Sequence, residues 1–307
     1  MNTRAELKKF PRYLDAHLAR NVVDHPDNPC CRDPGDRRNP GREINVDPYI
    51  AAVMRSRKML TFAGLTALHM LGFPELRHMA GTRYPIQVCV SDPSTRSKLT
   101  GVDFLCWPLP YEASVYELGE RTIRIVDPIT ACLQSLRFLD HIESVVMFDS
   151  LLSRHRSNRA PKLAMLETLI LGPQRFKGKT TGKWALSRTR GGTDSPMESR
   201  VRIKLQQSRF PEPVINHPIL HPITGERWFA DMAYPRLRIA IEYQGIEFHA
   251  TRAGLERDSR KISGLQGLSW NVIPLTATDV FSRRGWERFT DTLRAVIRAQ
   301  SKRVCKF

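Results

Sequence analysis

The chain has 307 residues, 41% of them apolar and 26% charged, which is the ordinary balance of a globular protein long enough for two domains. Its net charge of +17 favours a strongly anionic partner such as nucleic acid, although an arginine-rich composition without a specific partner is the alternative. Unpaired cysteine spacing argues against a disulfide framework, and no apolar run suits a membrane span or signal peptide. We therefore expect a cytoplasmic protein without a membrane partner.

The first 45 residues combine a helix candidate with a segment that is too rich in proline to pack. Amphipathic spacing predicts a short helix over residues 4–18. Prolines and glycines then follow closely through residue 40, which predicts a flexible N-terminal segment over residues 1–45. Cys30 and Cys31 lie in it, but adjacent cysteines suit tetrahedral zinc poorly, and we expect no metal there.

Residues 46–155 alternate helical and strand patterns, which predicts a small α/β domain. We predict two helices followed by three strands, over residues 49–57, 61–72, 85–90, 102–107 and 121–126. Asp127 followed by Pro128 is typical of the first turn of a helix, and we expect one long helix to begin there.

Three apolar segments of this domain carry a family resemblance. They are residues 65–74 (LTALHMLGFP), 126–133 (VDPITACL) and 148–152 (FDSLL). Their order resembles the middle region of AbiEi-type antitoxin-like proteins. That family usually begins with a winged helix-turn-helix, which residues 1–45 do not indicate. The resemblance implies an antitoxin-like region, while the missing helix-turn-helix counts against transcriptional regulation.

Residues 151–193 are the most basic part of the chain, with ten lysines and arginines against one acid, Glu167. Two aromatic side chains stand among these charges, and such a mixture is typical of segments that contact the phosphates and bases of nucleic acid. We predict a basic linker over residues 156–193 whose contacts with nucleic acid come from Arg175, Lys177, Lys179, Lys183 and Trp184. A solvated linker without specific contacts is the alternative.

Residues 194–300 are predicted to form a second domain, followed by a tail over residues 301–307. The periodicity gives a helix, three strands, a helix, a strand and a closing helix, with the strands over residues 214–220, 228–233, 238–244 and 270–275. The first helix begins at Ser195-Pro196, and Glu198 completes a capping box.

Two of these strands bring acidic side chains together. Along residues 238–244, Ala240, Glu242 and Gln244 share one face, because side chains alternate in a strand. If residues 234–237 form the loop before this strand, Asp231 lies opposite Ala240 and diagonal to Glu242, on the same face. Two carboxylates so placed repel unless a cation lies between them, and oxygen ligands suit Mg²⁺ or Mn²⁺.

An Asp, a turn and then Glu-x-Gln resembles the pattern of the PD-(D/E)XK restriction-endonuclease-like superfamily. More closely, it is similar to the branch related to the very-short-patch-repair (Vsr) endonuclease. The resemblance implies an αβββαβα domain with a mixed sheet flanked by helices, and metal-dependent hydrolysis of DNA. Asp231 and Glu242 would hold Mg²⁺ or Mn²⁺, and Gln244 stands where the family usually has its catalytic lysine.

Four further residues are candidates through the same resemblance. An acid on the first helix near the metal implies Glu198, for which the capping box is the equal alternative. The segment 245–249 resembles the family's Gly-x-x-His, which implies His249 as a general acid/base or water-positioning group, with a packing role as the alternative. Arg257 and Lys261 on the following charged helix would contact phosphate, although an ion pair between Asp258 and Lys261 is favoured for the latter.

Two functions of different class remain after the sequence is considered. The first is a Vsr-like, metal-dependent DNA endonuclease, which we expect to be slow because Gln244 lacks the positive charge of a lysine. The second is a non-catalytic, antitoxin-like DNA-binding regulator on a nuclease fold. A homodimer and a toxin or repair partner remain open.

Overall fold

The computed structural model describes residues 8–9, 47–76, 85–118, 121–153, 156, 158–193, 195–244 and 252–304. The architecture is mixed α/β, and the chain divides into two compact units, Met1–Gly191 and Gly192–Phe307. Across these described ranges, no helix has the length and apolar character needed to cross a membrane.

The first unit is built on a six-stranded mixed sheet. Its strands are β1 (Lys8–Lys9), β2 (Thr61–Phe62), β3 (Ile86–Val90), β4 (Val102–Cys106), β5 (Ala113–Leu118) and β6 (Arg121–Val126), in the spatial order β1-β5-β6-β2-β3-β4. Its helices are α1 (Asp47–Arg55), α2 (Gly64–Met70), α3 (Pro128–Ser135), α4 (His141–Leu151), α5 (Arg159–Leu171) and α6 (Lys179–Leu186).

Most of the predicted helices and strands of this unit are confirmed, and one predicted helix is divided in two. Thr61 and Phe62, predicted to begin the second helix, form β2 instead, and α2 begins at Gly64. Asp127 caps α3 by accepting hydrogen bonds from the backbone N–H groups of Ile129 and Thr130, at 3.0 and 2.9 Å. The long helix expected to follow is wrong, because Asp140 accepts from the N–H of Glu143 at 2.8 Å and begins the separate helix α4. Strand β5 was not predicted.

The N-terminal predictions are tested at two residues only. Lys8 and Lys9 form β1, which pairs in parallel with β5, so the predicted helix over residues 4–18 is wrong at these positions. The rest of the segment predicted to be flexible, with Cys30 and Cys31, lies outside the described residues.

The segment predicted as a basic linker is folded instead. It contains α5 and α6, which belong to the first unit, and its apolar residues Leu166, Ile170 and Ala185 are fully buried. Helical spacing of these apolar side chains explains the difference, since the high density of charge around them masked an amphipathic pattern.

The second unit has a four-stranded mixed sheet with helices. It comprises α7 (Pro196–Gln207), β7 (Val214–Leu220), β8 (Arg227–Tyr234), β9 (Ile239–Gln244), α8 (Arg252–Gly267), β10 (Asn271–Thr276), α9 (Ala277–Phe281) and α10 (Arg283–Val304). The strand order is β10-β9-β8-β7, with β10 parallel to β9 and the other pairs antiparallel. The predicted order of one helix, three strands, helix, strand and helix is therefore confirmed, with α9 added.

The two faces of β9 pack in different clusters, as their alternation predicts. Ile239 and Ile241 lie in a large apolar cluster with residues of α7 and α10. Ala240 lies in a second cluster with Ala233 of β8 and Leu265 of α8. Alanine at both strand positions leaves room for α8 to approach this face of the sheet.

Close packing fixes the position of α8 at Gly264. A Cβ atom on Gly264 would lie 2.2 Å from Cη2 of Trp228, a distance that real Cβ atoms do not tolerate. Glycine is therefore required here by contact with β8, and the helix cannot slide or rotate without moving this tryptophan.

We predict that Gly264→Ala lowers the free energy of unfolding by about 1–3 kcal/mol through overpacking. Alanine is otherwise the better helix former by about 1 kcal/mol. Gly267→Ala is the matched control on the same helix, because nothing lies within 4 Å of its added Cβ, and it should cause no loss. Chemical denaturation measures both, and equal effects of the two changes would contradict the packing argument.

Candidate active site

Asp231 and Glu242 lie opposite each other on neighbouring strands. Met232 pairs with Ile241, and Ala233 with Ala240. One residue further, the same register places Asp231 opposite Glu242. The carboxylate of Asp231 also accepts a hydrogen bond from the N–H of Tyr243 at 2.9 Å, which holds it beside β9.

The predicted register was wrong by two residues. Tyr234 extends β8 instead of opening the loop, and the chain turns through the short 3₁₀ segment Pro235–Leu237 and then Arg238, whose φ of 47° is left-handed. Because strand side chains alternate with period two, a two-residue shift keeps both acids on the same face. It also brings them from a diagonal to a facing position.

A third charged group completes the cluster from α8. The Lys261 ammonium Nζ lies 2.5 Å from Oε2 of Glu242 and 3.9 Å from Oδ1 of Asp231. Lys261 was expected to pair with Asp258 or to contact phosphate, and its described ion pairs are instead with the two strand acids. Its position three residues before Gly264 and four before Leu265 explains this, since all three lie on the side of α8 that faces the sheet.

Burial makes the environment of Glu242 unusual for a carboxylate. Its side chain is only 10% exposed, and Oε1 is buried without a hydrogen-bond partner among the described residues. Burial and then repulsion from Asp231 raise the pKa of Glu242 to about 7, against the attraction of Lys261. The ionised form at this position therefore depends on a nearby cation.

Glu198 is held by a different set of contacts. The hydroxyl of Ser195 accepts from the N–H of Glu198 at 3.2 Å, which confirms this half of the predicted capping box. The carboxylate of Glu198 accepts from the side chain of Asn216 at 3.2 Å. Within the described ranges no three His, Cys, Asp or Glu side chains form a group that could hold a metal, so Glu198 is not brought together with Asp231 and Glu242.

The remaining predicted site residues are only partly placed. Gln244 ends β9, pairs with Thr276 of β10 and is half-buried, on the same face as Glu242 by alternation. His249 lies outside the described residues. The backbone of Arg257 belongs to α8, but its side chain is not among those described.

Asp231 and Glu242 are the residues that could hold a metal ion. Both present carboxylate oxygens, the ligands that Mg²⁺ and Mn²⁺ prefer. The buried Oε1 of Glu242 is an acceptor that has no donor among the residues that the structure describes, and a bound cation would satisfy it. Lys261 competes for the same carboxylates, so any metal must displace or share its ammonium.

The five predicted nucleic-acid contacts of the first unit differ in accessibility. Arg175, Lys177 and Lys183 are exposed. Lys179 instead donates to the carbonyl oxygens of Gly172 and Gln174, both at 2.5 Å. Trp184 is half-buried and stacks on His141 with ring centroids 4.6 Å apart.

Comparison with known proteins finds two related sequences. The chain is 29% identical over 153 residues to the uncharacterized proteins MT2308 and Rv2248 of Mycobacterium tuberculosis, from strains CDC 1551 and H37Rv. The match covers 50% of this chain and 55% of each relative, so the chain spans about half the length of the curated relatives it matches. No protein-family model and no solved structure matches the chain.

Proposed function

We propose that the second unit is a metal-dependent DNA endonuclease of the Vsr-like, restriction-endonuclease-like type. The observation that carries the proposal is the facing pair of Asp231 and Glu242, with a buried carboxylate oxygen that has no donor among the described residues. The order of helices and strands, and the mixed sheet order β10-β9-β8-β7, support the same fold.

In the proposed reaction Asp231 and Glu242 hold the metal, and each is kept in place by different contacts. Asp231 is oriented by the Tyr243 N–H, and Glu242 is held in a buried position where a cation is needed for its ionised form. When bound, Mg²⁺ or Mn²⁺ supplies Lewis-acid polarisation of the phosphate and of an attacking water. Gln244, on the same face, hydrogen-bonds this water or the phosphate without adding charge.

Hydrolysis consumes one water for each bond broken. The water oxygen attacks phosphorus, one phosphoester P–O bond breaks, and the water proton passes to the leaving sugar oxygen. The proposal assigns His249 to this proton transfer from the family resemblance. Glu198 is not kept as a metal ligand, because the structure does not bring it together with Asp231 and Glu242.

DNA is the proposed partner, because its negatively charged phosphates complement the positive net charge of this chain. The net charge of +17 and the exposed cations Arg175, Lys177 and Lys183 support binding to the DNA backbone. A cytoplasmic location and an AbiEi-like first unit belong to the same proposal. A homodimer and a toxin or repair partner remain open.

The second candidate function is DNA binding without cleavage, as an antitoxin-like regulator. The contact between Lys261 and Glu242 favours it, because an ammonium that already neutralises the carboxylate reduces the need for a metal. Gln244 also favours it, since a neutral side chain contributes less to a transition state that gains negative charge.

We predict that Asp231→Asn and Glu242→Gln each reduce nicking of supercoiled plasmid by roughly 100-fold or more in Mg²⁺ or Mn²⁺, because each removes a metal ligand. EDTA should abolish wild-type nicking. Asp291→Asn is the matched control, since this acid of α10 is 75% exposed and its described ion pair, with Arg294, lies at the surface. Full nicking by both site variants would contradict the assignment, and intact plasmid that is retarded on a gel would favour the second function.

We predict that replacing Arg175, Lys177 and Lys183 together by alanine weakens DNA binding and lowers the slope of log K against log salt by about three, because each phosphate contact contributes about 0.9. Lys179→Ala is the control: its ammonium is used by two carbonyls, so it should destabilise the fold with little change in slope. Fluorescence anisotropy over a salt series measures both. An unchanged slope in the triple variant would place the DNA contacts elsewhere.

A further inference from the structure

Lys261 reaches the carboxylate pair from a helix, not from the strand that carries Glu242. Its Nζ lies 2.5 Å from Glu242 and 3.9 Å from Asp231, and its side chain is 22% exposed. It is therefore neither a solvated surface lysine nor a fully buried one. A flexible four-carbon stem with a partly open head can move between two nearby partners.

The charges at this position explain why a lysine is tolerated beside a proposed metal site. When both acids are ionised, two carboxylates and one ammonium leave one net negative charge, which still attracts a divalent cation. The ammonium and the cation then repel each other across a short, poorly solvated distance. A bound metal would therefore favour a position of Lys261 away from the carboxylates, and a substrate phosphate would offer its ammonium a new anionic partner.

The neutral residue at position 244 also leaves a role for Lys261 in the proposed reaction. Gln244 shares the face of Glu242 but carries no charge, so β9 does not supply a cation for the phosphate. Lys261 enters this face from α8, and its place there is fixed by the contact of Gly264 with Trp228. Among the described residues, the one lysine at the Asp231–Glu242 pair is therefore positioned by the packing of α8 on the sheet. Its position does not depend on a freely chosen surface rotamer.

We propose that Lys261 serves this site in two positions: it neutralises Asp231 and Glu242 when no metal is bound, and it contacts the scissile phosphate when a metal takes over the carboxylates. Lys261 is then a catalytic residue, delivered by α8 in place of a lysine at position 244. The inference rests on the proposed nuclease function and deepens it.

The proposal predicts that replacing Lys261 changes two quantities in opposite directions: the affinity for Mn²⁺ rises and the rate of plasmid nicking falls. In Lys261→Met, Mn²⁺ should bind roughly five- to tenfold more tightly, since a competing charge-assisted hydrogen bond is gone. At saturating Mn²⁺, plasmid nicking should be roughly 100-fold slower, since the phosphate loses a positive charge in the transition state. Paramagnetic titration of Mn²⁺ in the full chain gives the first quantity independently of activity.

Two further variants keep the test sharp. Arg260→Met changes the neighbouring, exposed cation on the same helix and should leave metal affinity and nicking within about twofold of wild type. Lys261→Gln retains a hydrogen-bond donor to Glu242 and provides a second test if the methionine variant does not fold. It should also raise the affinity for Mn²⁺ and slow plasmid nicking.

The outcomes separate this inference from the function on which it rests. If wild-type protein nicks DNA but the Lys261 variants bind Mn²⁺ no more tightly, Lys261 does not compete with the metal and the inference is wrong. If they bind more tightly and nick as fast as wild type, the ammonium has no role at the phosphate and the inference is also wrong. Wild-type protein that neither binds Mn²⁺ nor nicks DNA contradicts the nuclease proposal itself.

Discussion

Repulsion between two facing carboxylates is the constraint on which the second unit depends. Asp231 and Glu242 lie on adjacent antiparallel strands, and Glu242 is buried deeply enough to raise its pKa to about 7. Either protonation of one carboxyl group or a nearby positive charge relieves this repulsion. In the structure that charge is Lys261, and in the proposed reaction it is a divalent metal. The same electrostatic requirement thus connects the stability of the unit with its proposed chemistry.

The packing of α8 satisfies this constraint. The small side chains of Ala233 and Ala240 leave space above this face of the sheet, and Gly264 lets α8 approach until it contacts Trp228. Lys261, one turn before Gly264, then reaches the acids. Small residues on the sheet and one glycine on the helix are therefore part of the site, although none of them has a chemical role.

Much of the second unit could be predicted from its sequence, and the exceptions have physical causes. Alternation along β9 correctly separated Ile241 from Glu242, because one strand face is buried in a large apolar cluster. The pairing register was missed by two residues, since nothing in the sequence shows that Tyr234 stays in the strand and Arg238 turns left-handed. Lys261 was predicted as a phosphate contact, but its pairing with Asp231 and Glu242 was missed because these partners lie far away in sequence, whereas Asp258 on its own helix offered a simpler pair. In the first unit, charge density hid the apolar spacing of α5 and α6.

The central claim is that Asp231 and Glu242 together bind a divalent metal, and crystals grown with Mn²⁺ test it most directly. We expect an anomalous scattering peak at about 2.0–2.3 Å from carboxylate oxygens of both residues, with the Lys261 ammonium moved away from Glu242. A peak bound by other residues, or a map without a peak at millimolar Mn²⁺ in which Lys261 still contacts Glu242, would contradict the account.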